Sequence, residues 1–180
     1  YRHPNPPATD LVTHAAPLVA AVKANDTTRP VTAALASITM SNAVGLPAEL
    51  DVVGYNYQED HYVADHAKYP RRIIYGSENG HAYSAWTAVR DHDYISGQFL
   101  WTGVDYLGEA RKWPSRANIA GLLDLCGFKK PLAWFRQSLW SDRPMVYLCV
   151  PVPAISRRSD ALESWNWPAG QTVKVASYTN

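Results

Sequence analysis

Cysteine is nearly absent. Cys126 and Cys149 are the only two in 180 residues, with neither a CxxC spacing nor a neighbouring His pair, so no zinc site and no disulfide framework is expected. Charge of one sign is equally scarce. Seventeen Lys and Arg against sixteen Asp and Glu leave a formal charge of +1, and the longest basic runs are the pairs Arg71-Arg72, Lys129-Lys130 and Arg157-Arg158. That argues against a surface that tracks phosphates, and so against nucleic acid as a partner. Long apolar runs are missing too: stretches such as Ala15 to Val22 fall far short of the roughly 20 residues that span a bilayer. None has the form of a signal-peptide core, so no membrane association is expected. No Gly-rich phosphate loop follows any expected strand, which removes the usual signature of nucleotide or flavin binding. The sequence opens on Tyr1 rather than Met, which suggests a portion of a longer chain and leaves its compartment unread.

Aromatic residues are what the sequence has in excess. Seven Trp and eleven Tyr supply flat apolar faces with polar edges, suited to gripping sugar rings and equally suited to filling a core. With 47% hydrophobic and 18% charged residues the composition is that of a globular protein with a real core. From Thr9 or Asp10 the apolar positions Leu11, Ala15, Leu18, Val19 and Val22 recur at helical spacing up to Asn25-Asp26, with Pro17 expected to kink or reset the helix. Strands are predicted over Pro30–Leu35, Asp51–Tyr57, Arg72–Glu78 and Ile95–Trp101, with helices over Glu59–Lys68 and Ser84–His92. Strand ends near Ala33, Tyr57, Glu78 and Trp101 set a beat of 21 to 24 residues. Hairpins are shorter than that, so the beat predicts parallel strands joined by crossover helices, as an open sheet or as half of an eight-stranded barrel. A long loop (102 to 129) and a helix over Pro131–Trp140 follow, and strands over Met145–Val150 and Gln171–Tyr178 resemble the start of a β-sandwich.

Parallel α/β folds carry their reactive groups at the carboxyl ends of strands, which here hold Asn56-Tyr57, Ser77-Glu78 and Trp101. Glu78 closes the apolar run Ile73-Ile74-Tyr75, and a carboxylate there must find hydrogen-bond donors. Patterning alone leaves it open whether Glu78 is catalytic, caps a helix or pairs with an Arg. Glycoside cleavage needs two carboxylates, and no convincing second one is present. Asp51 lies at the wrong end of its strand, and Glu59 and Asp60 lie beyond the strand in the following helix.

Four segments, Asp51 to Tyr57 (DVVGYNY), Ile74 to Gly80 (IYGSENG), Gly97 to Glu109 (GQFLWTGVDYLGE) and Gly121 to Asp124 (GLLD), together resemble the later catalytic barrel of glycoside hydrolase family 2. The stretch Thr28-Arg29-Pro30-Val31-Thr32 resembles the strand before them, and Trp165-Asn166-Trp167-Pro168 resembles the immunoglobulin-like domain that follows the barrel. The resemblance implies an α/β fold, the later part of a (β/α)8 TIM barrel over residues 1–143, then an incomplete β-sandwich over 144–180. It implies that Glu78 is the nucleophile and that Tyr57 hydrogen-bonds it. Asn56, His81 and Trp101 would contact the sugar, each with a bland alternative as backbone support, loop histidine or packing residue.

The implied reaction is retaining cleavage of terminal β-glycosides, β-galactosides first, without a cofactor or a metal held by this segment. Family members carry an Asn-Glu pair whose Glu is the general acid/base, and that dipeptide does not occur here. It is expected just upstream of Tyr1, together with the first half of the barrel and a jelly-roll domain, the rest of the parent chain being the partner; this segment alone would be inactive. Periplasmic or secreted bacterial origin is the family's lean. A catalytically dead carbohydrate-binding module and an unrelated flavodoxin-like domain are the competing readings.

Overall fold

The computed structural model describes residues 9–110, 112–151, 161–162 and 165–180. They fall into two compact units that divide between Trp101 and Thr102.

The first unit is an α/β layer. Helix α1 (Thr9–Asn25) stays a single helix through Pro17. It leads into β1 (Thr32–Leu35), α2 (Ile38–Val44), β2 (Val52–Asn56), α3 (Tyr62–Lys68), β3 (Ile74–Asn79), α4 (Tyr83–Arg90) and β4 (Ile95–Leu100). The four strands pair parallel in their sequence order, β1-β2-β3-β4. One face of the sheet packs on helices. Leu35, Val53, Tyr55, Ile74 and Ile95 from the strands join Ile38 and Tyr62 from the helices in a buried core. This follows from the alternation of side chains along a strand, Val53 and Tyr55 facing the helices while Val52 and Gly54 face away.

Helix α2 was not expected from the sequence. Its seven residues, ITMSNAV, are too few for a periodic signal and include β-branched Ile and Thr. Its punctuation was nonetheless present. Ser37 stands at the N-cap, and Gly45 ends the helix in the left-handed conformation (φ 80°), its N–H bonding back to Asn42 and Ser41 carbonyls.

The amino-terminal side of this unit is held by a polar knot. The Asp65 carboxylate accepts hydrogen bonds from Tyr55 (2.8 Å), Asn42 (3.0 Å) and Arg72 (3.2 Å), while Arg72 also donates to the Tyr55 hydroxyl at 2.9 Å. The Arg72 guanidinium lies 4.0 Å from the Tyr69 ring centroid. Burial raises the Tyr55 phenol well above its ordinary pKa; the Arg72 bond opposes that shift and the adjacent Asp65 adds to it.

The second unit opens with a small antiparallel hairpin, β5 (Tyr106–Leu107) with β6 (Ala117–Asn118), followed by α5 (Pro131–Trp140). Strands β7 (Val146–Pro151), β8 (Ala161–Leu162) and β9 (Ala176–Thr179) form an antiparallel sheet in the order β8-β7-β9. Strand β9 is shorter than the predicted Gln171–Tyr178, because only 176 to 179 pair with β7. Trp134 of α5 stacks on Tyr147 of β7 (5.2 Å between centroids), and Tyr147 stacks on Tyr178 of β9 (6.0 Å). These three rings join the two sides of the expected domain boundary at 143/144 within one unit. Buried Asp105 accepts from Lys130 (2.8 Å) and from the Gly121 N–H (2.7 Å). Among the described residues no helix is long and apolar enough to cross a membrane.

Candidate active site

The carboxyl edge of the parallel sheet brings the sequence-selected residues into one row. Asn56 ends β2, Glu78 and Asn79 end β3, and Trp101 follows β4 directly. Backbone bonds tie the row together: the Tyr57 N–H donates to the Glu78 carbonyl at 2.8 Å, and the Trp101 N–H donates to the Asn79 carbonyl at 3.1 Å. Both peptide groups flanking Asn79 are thus fixed to neighbouring strands.

Glu78 faces the open side of the sheet because β3 contains one extra residue. Tyr55 pairs with Gly76, yet the next pair is Asn56 with Glu78, so Ser77 is inserted as a bulge. Strict alternation from buried Ile74 and Gly76 would have turned position 78 toward the helices. With the insertion, Glu78 shares a face with Asn56, whose side-chain amide lies 3.4 Å from the Glu78 carboxylate. Bulges commonly re-aim side chains next to reaction centres. Gly54 makes room for this arrangement, since a Cβ there would come within 2.8 Å of Ser77 Cβ and 3.0 Å of the Tyr75 hydroxyl.

Tyr57 has a backbone φ of 52°, a left-handed conformation that a bulky side chain adopts only under constraint. It is held there by its backbone bond to Glu78, and the residue is 44% exposed. His81 lies two residues past β3, half-buried, in the turn before α4. Trp101 is half-buried at the same edge. All five sequence-selected residues therefore belong to the carboxyl edge of β2, β3 and β4 or to the turns leaving it.

Two residues at this edge were missed from sequence. Asn79 is fully buried, and its side-chain amide donates to the Glu59 carboxylate at 2.6 Å and to the Tyr62 hydroxyl at 3.4 Å. Glu59, dismissed as lying beyond its strand, reaches back from a single 3₁₀ turn (Glu59–His61). No group of three or more His, Cys, Asp or Glu suited to a metal ion occurs among the described residues.

No family model matches the chain. Individual relatives do. It is 28% identical to a β-galactosidase of Bacteroides ovatus, over 91% of this chain and 23% of that protein. A shorter stretch, 35% of this chain and 6% of the relative, is 43% identical to a protein of Formosa agariphila whose name assigns it provisionally as a β-glucuronidase. A solved glycosyl hydrolase family 2 structure from Bacteroides cellulosilyticus superposes over 95% of the chain and 23% of its own length, at 38% identity and a TM-score of 0.81. Over most of its length the chain is similar to one portion of glycoside hydrolase family 2 members. It spans about a quarter of the length of the β-galactosidase and of the solved family 2 structure. The named relatives thus include a β-galactosidase and a protein named provisionally for a uronic acid substrate.

Proposed function

We propose that these residues are part of a retaining β-glycosidase in which Glu78 is the nucleophile. The observation that carries this reading is the Ser77 bulge, which places Glu78 beside Asn56 at the carboxyl edge of a parallel sheet, where α/β enzymes hold their reactive groups. Glu78 attacks the anomeric carbon and forms a glycosyl ester as the aglycone oxygen departs with a proton from a general acid. Water, deprotonated by the same group, then hydrolyses the ester. Tyr57 orients the carboxylate, Asn56 donates to it, and His81 and Trp101 contact the sugar. The acid/base is supplied by residues outside the segment. The chemistry needs carboxylates and water, with no cofactor.

Two features support a (β/α)8 barrel as the setting. The strands follow one another in sequence order, without the reversal of a doubly wound sheet. The face of the sheet turned away from the helices exposes Ile73 (50%) and Phe99 (66%), the latter edge-on to Tyr75, a surface that further barrel strands would cover. We read 1–143 as barrel and 144–180 as the beginning of a β-sandwich, to which the β8-β7-β9 sheet belongs.

The test is covalent trapping. An activated 2-deoxy-2-fluoro-β-galactoside slows hydrolysis of the ester more than its formation. Incubated with the full-length protein, it is expected to label the peptide containing Ser77-Glu78-Asn79; a label on any other peptide removes Glu78 from this role.

For the sugar, we propose a neutral hexose, galactose first. Family β-glucuronidases carry Asn-x-Lys-Gly where this chain reads Asn118-Ile119-Ala120-Gly121. Lys130 bonds the Ile119 carbonyl of this stretch at 2.9 Å and is paired with buried Asp105 at 2.8 Å, so its charge is already matched. A uronate carboxylate left without a partner costs several kcal/mol as an order of magnitude. In a panel of p-nitrophenyl β-glycosides with the full-length protein, the galactoside is expected to give the highest kcat/KM and the glucuronide the lowest. A preference for the glucuronide overturns the argument from Ala120 and Lys130.

A further inference from the structure

We propose that Glu59 is a positioning residue for Glu78, acting through the side chain of Asn79; this rests on the reading of Glu78 as nucleophile. Successive residues of a strand point to opposite faces. Asn79 therefore goes into the helix-side core as Glu78 faces the open side, and whatever grips the Asn79 amide sets the orientation of the Glu78 stem. The grip is specific. A carboxylate only accepts, so Glu59 fixes which end of the Asn79 amide faces it: Nδ2, at 2.6 Å. The Tyr62 hydroxyl takes the same Nδ2 at 3.4 Å.

The other end of the amide has no room to turn. A Cβ at Gly76 would fall 1.9 Å from Asn79 Oδ1 and 2.8 Å from the Tyr62 hydroxyl, so the missing side chain of Gly76 is the space that Oδ1 occupies. That oxygen is buried and has no hydrogen-bond partner among the described residues. An acceptor left so reduces stability, and an apolar residue would fill the same volume without that penalty. A purely structural role therefore fits this position poorly. Holding the Glu78–Asn79 backbone fits it well, because the same two residues carry the bonds to Tyr57 and Trp101. The bond from Asn79 to Glu59 thus ties the loop after β2 to the end of β3, beneath the reacting carboxylate.

The experiment uses full-length protein and p-nitrophenyl β-galactoside, with kcat and KM measured separately and folding followed by circular dichroism and melting. Asn79→Asp sets two carboxyl groups against each other where a donor met an acceptor. It is expected to lower kcat roughly 100-fold with KM changed by no more than about threefold, the signature of a misplaced reacting group. The exchange Glu59→Gln with Asn79→Asp restores one amide–carboxylate bond with donor and acceptor reversed, and kcat is expected to recover to within roughly fivefold of the parent. Glu59→Ala, at a half-buried position on a turn, is the safeguard if Asn79→Asp does not fold. It should lower kcat at least roughly 10-fold while the protein still melts cooperatively, with a loss of stability no larger than that of one buried hydrogen bond. A folded Glu59→Ala protein with parental kcat overturns the proposal, as does an exchange variant no better than a folded Asn79→Asp. Fluoroglycoside labelling of the parent separates the two readings: a label away from Glu78 ends both, whereas a label on Glu78 with fully active Glu59→Ala ends this one alone.

Discussion

Replacement of Glu78 by Ala in the full-length protein is expected to lower kcat/KM on an aryl β-galactoside on the order of 10⁴-fold, as removal of a nucleophile from a cooperating site does. The loss by itself does not separate nucleophile from acid/base, but azide does. Without the Glu78 carboxylate, the small anion can enter the vacated space and attack the anomeric carbon from the same face, releasing an α-glycosyl azide. Were Glu78 the acid/base, another residue would form the ester and azide would open it from the opposite face, giving the β-azide. The product's anomeric configuration, read by nuclear magnetic resonance, decides between the roles. Recovery of turnover as the α-azide is the expected result. Retained hydrolysis without azide, or a β-azide, overturns the assignment.

The second large effect is on stability. Asp65→Ala is expected to cost the first unit about 3 to 5 kcal/mol, because it leaves the Arg72 guanidinium in a site where both side chains are about one-tenth exposed (11% and 10%). It also removes the acceptor for Tyr55 and Asn42. Combining Asp65→Ala with Arg72→Met removes the uncompensated charge and should recover much of the loss, since buried ion pairs are often nearly neutral against apolar replacements. Urea denaturation of the full-length variants, followed at the transition of this unit, measures both numbers. A single variant within about 1 kcal/mol of the parent would show that the pair behaves as a surface ion pair does.

Much of the first unit was legible because its signals are local and repeated. The four strands, the helices after β2 and β3, and the final helix α5 follow from apolar runs and their spacing. The place of Glu78, Tyr57 and Trp101 on one edge followed because a parallel sheet collects its strand ends there. What escaped the reading depended on register or on contacts across the chain. Helix α2 was too short to show a period, and the hairpin β5–β6 pairs only two residues on each side. Glu59 was set aside by its distance from the strand, although the 3₁₀ turn folds it back under Asn79. Asn79 carries no signal of its own in the sequence, and its complete burial marks it out.

The extra residue in β3 makes this strand a counting device. The face on which its last carboxylate emerges depends on an odd or even number of positions between that carboxylate and Ile74, anchored in the core. Removal of Ser77 alone, a change that alters neither charge nor hydrophobicity to speak of, would exchange the destinations of two neighbours. The carboxylate would enter the apolar layer beside Tyr62, and the amide would face solvent. On the proposed role of Glu78, strand length and not only residue identity is thus an inherited property of the site: a one-residue gap between Tyr75 and Glu78 in any descendant of this sequence would mark a lineage that kept the glutamate and lost that placement.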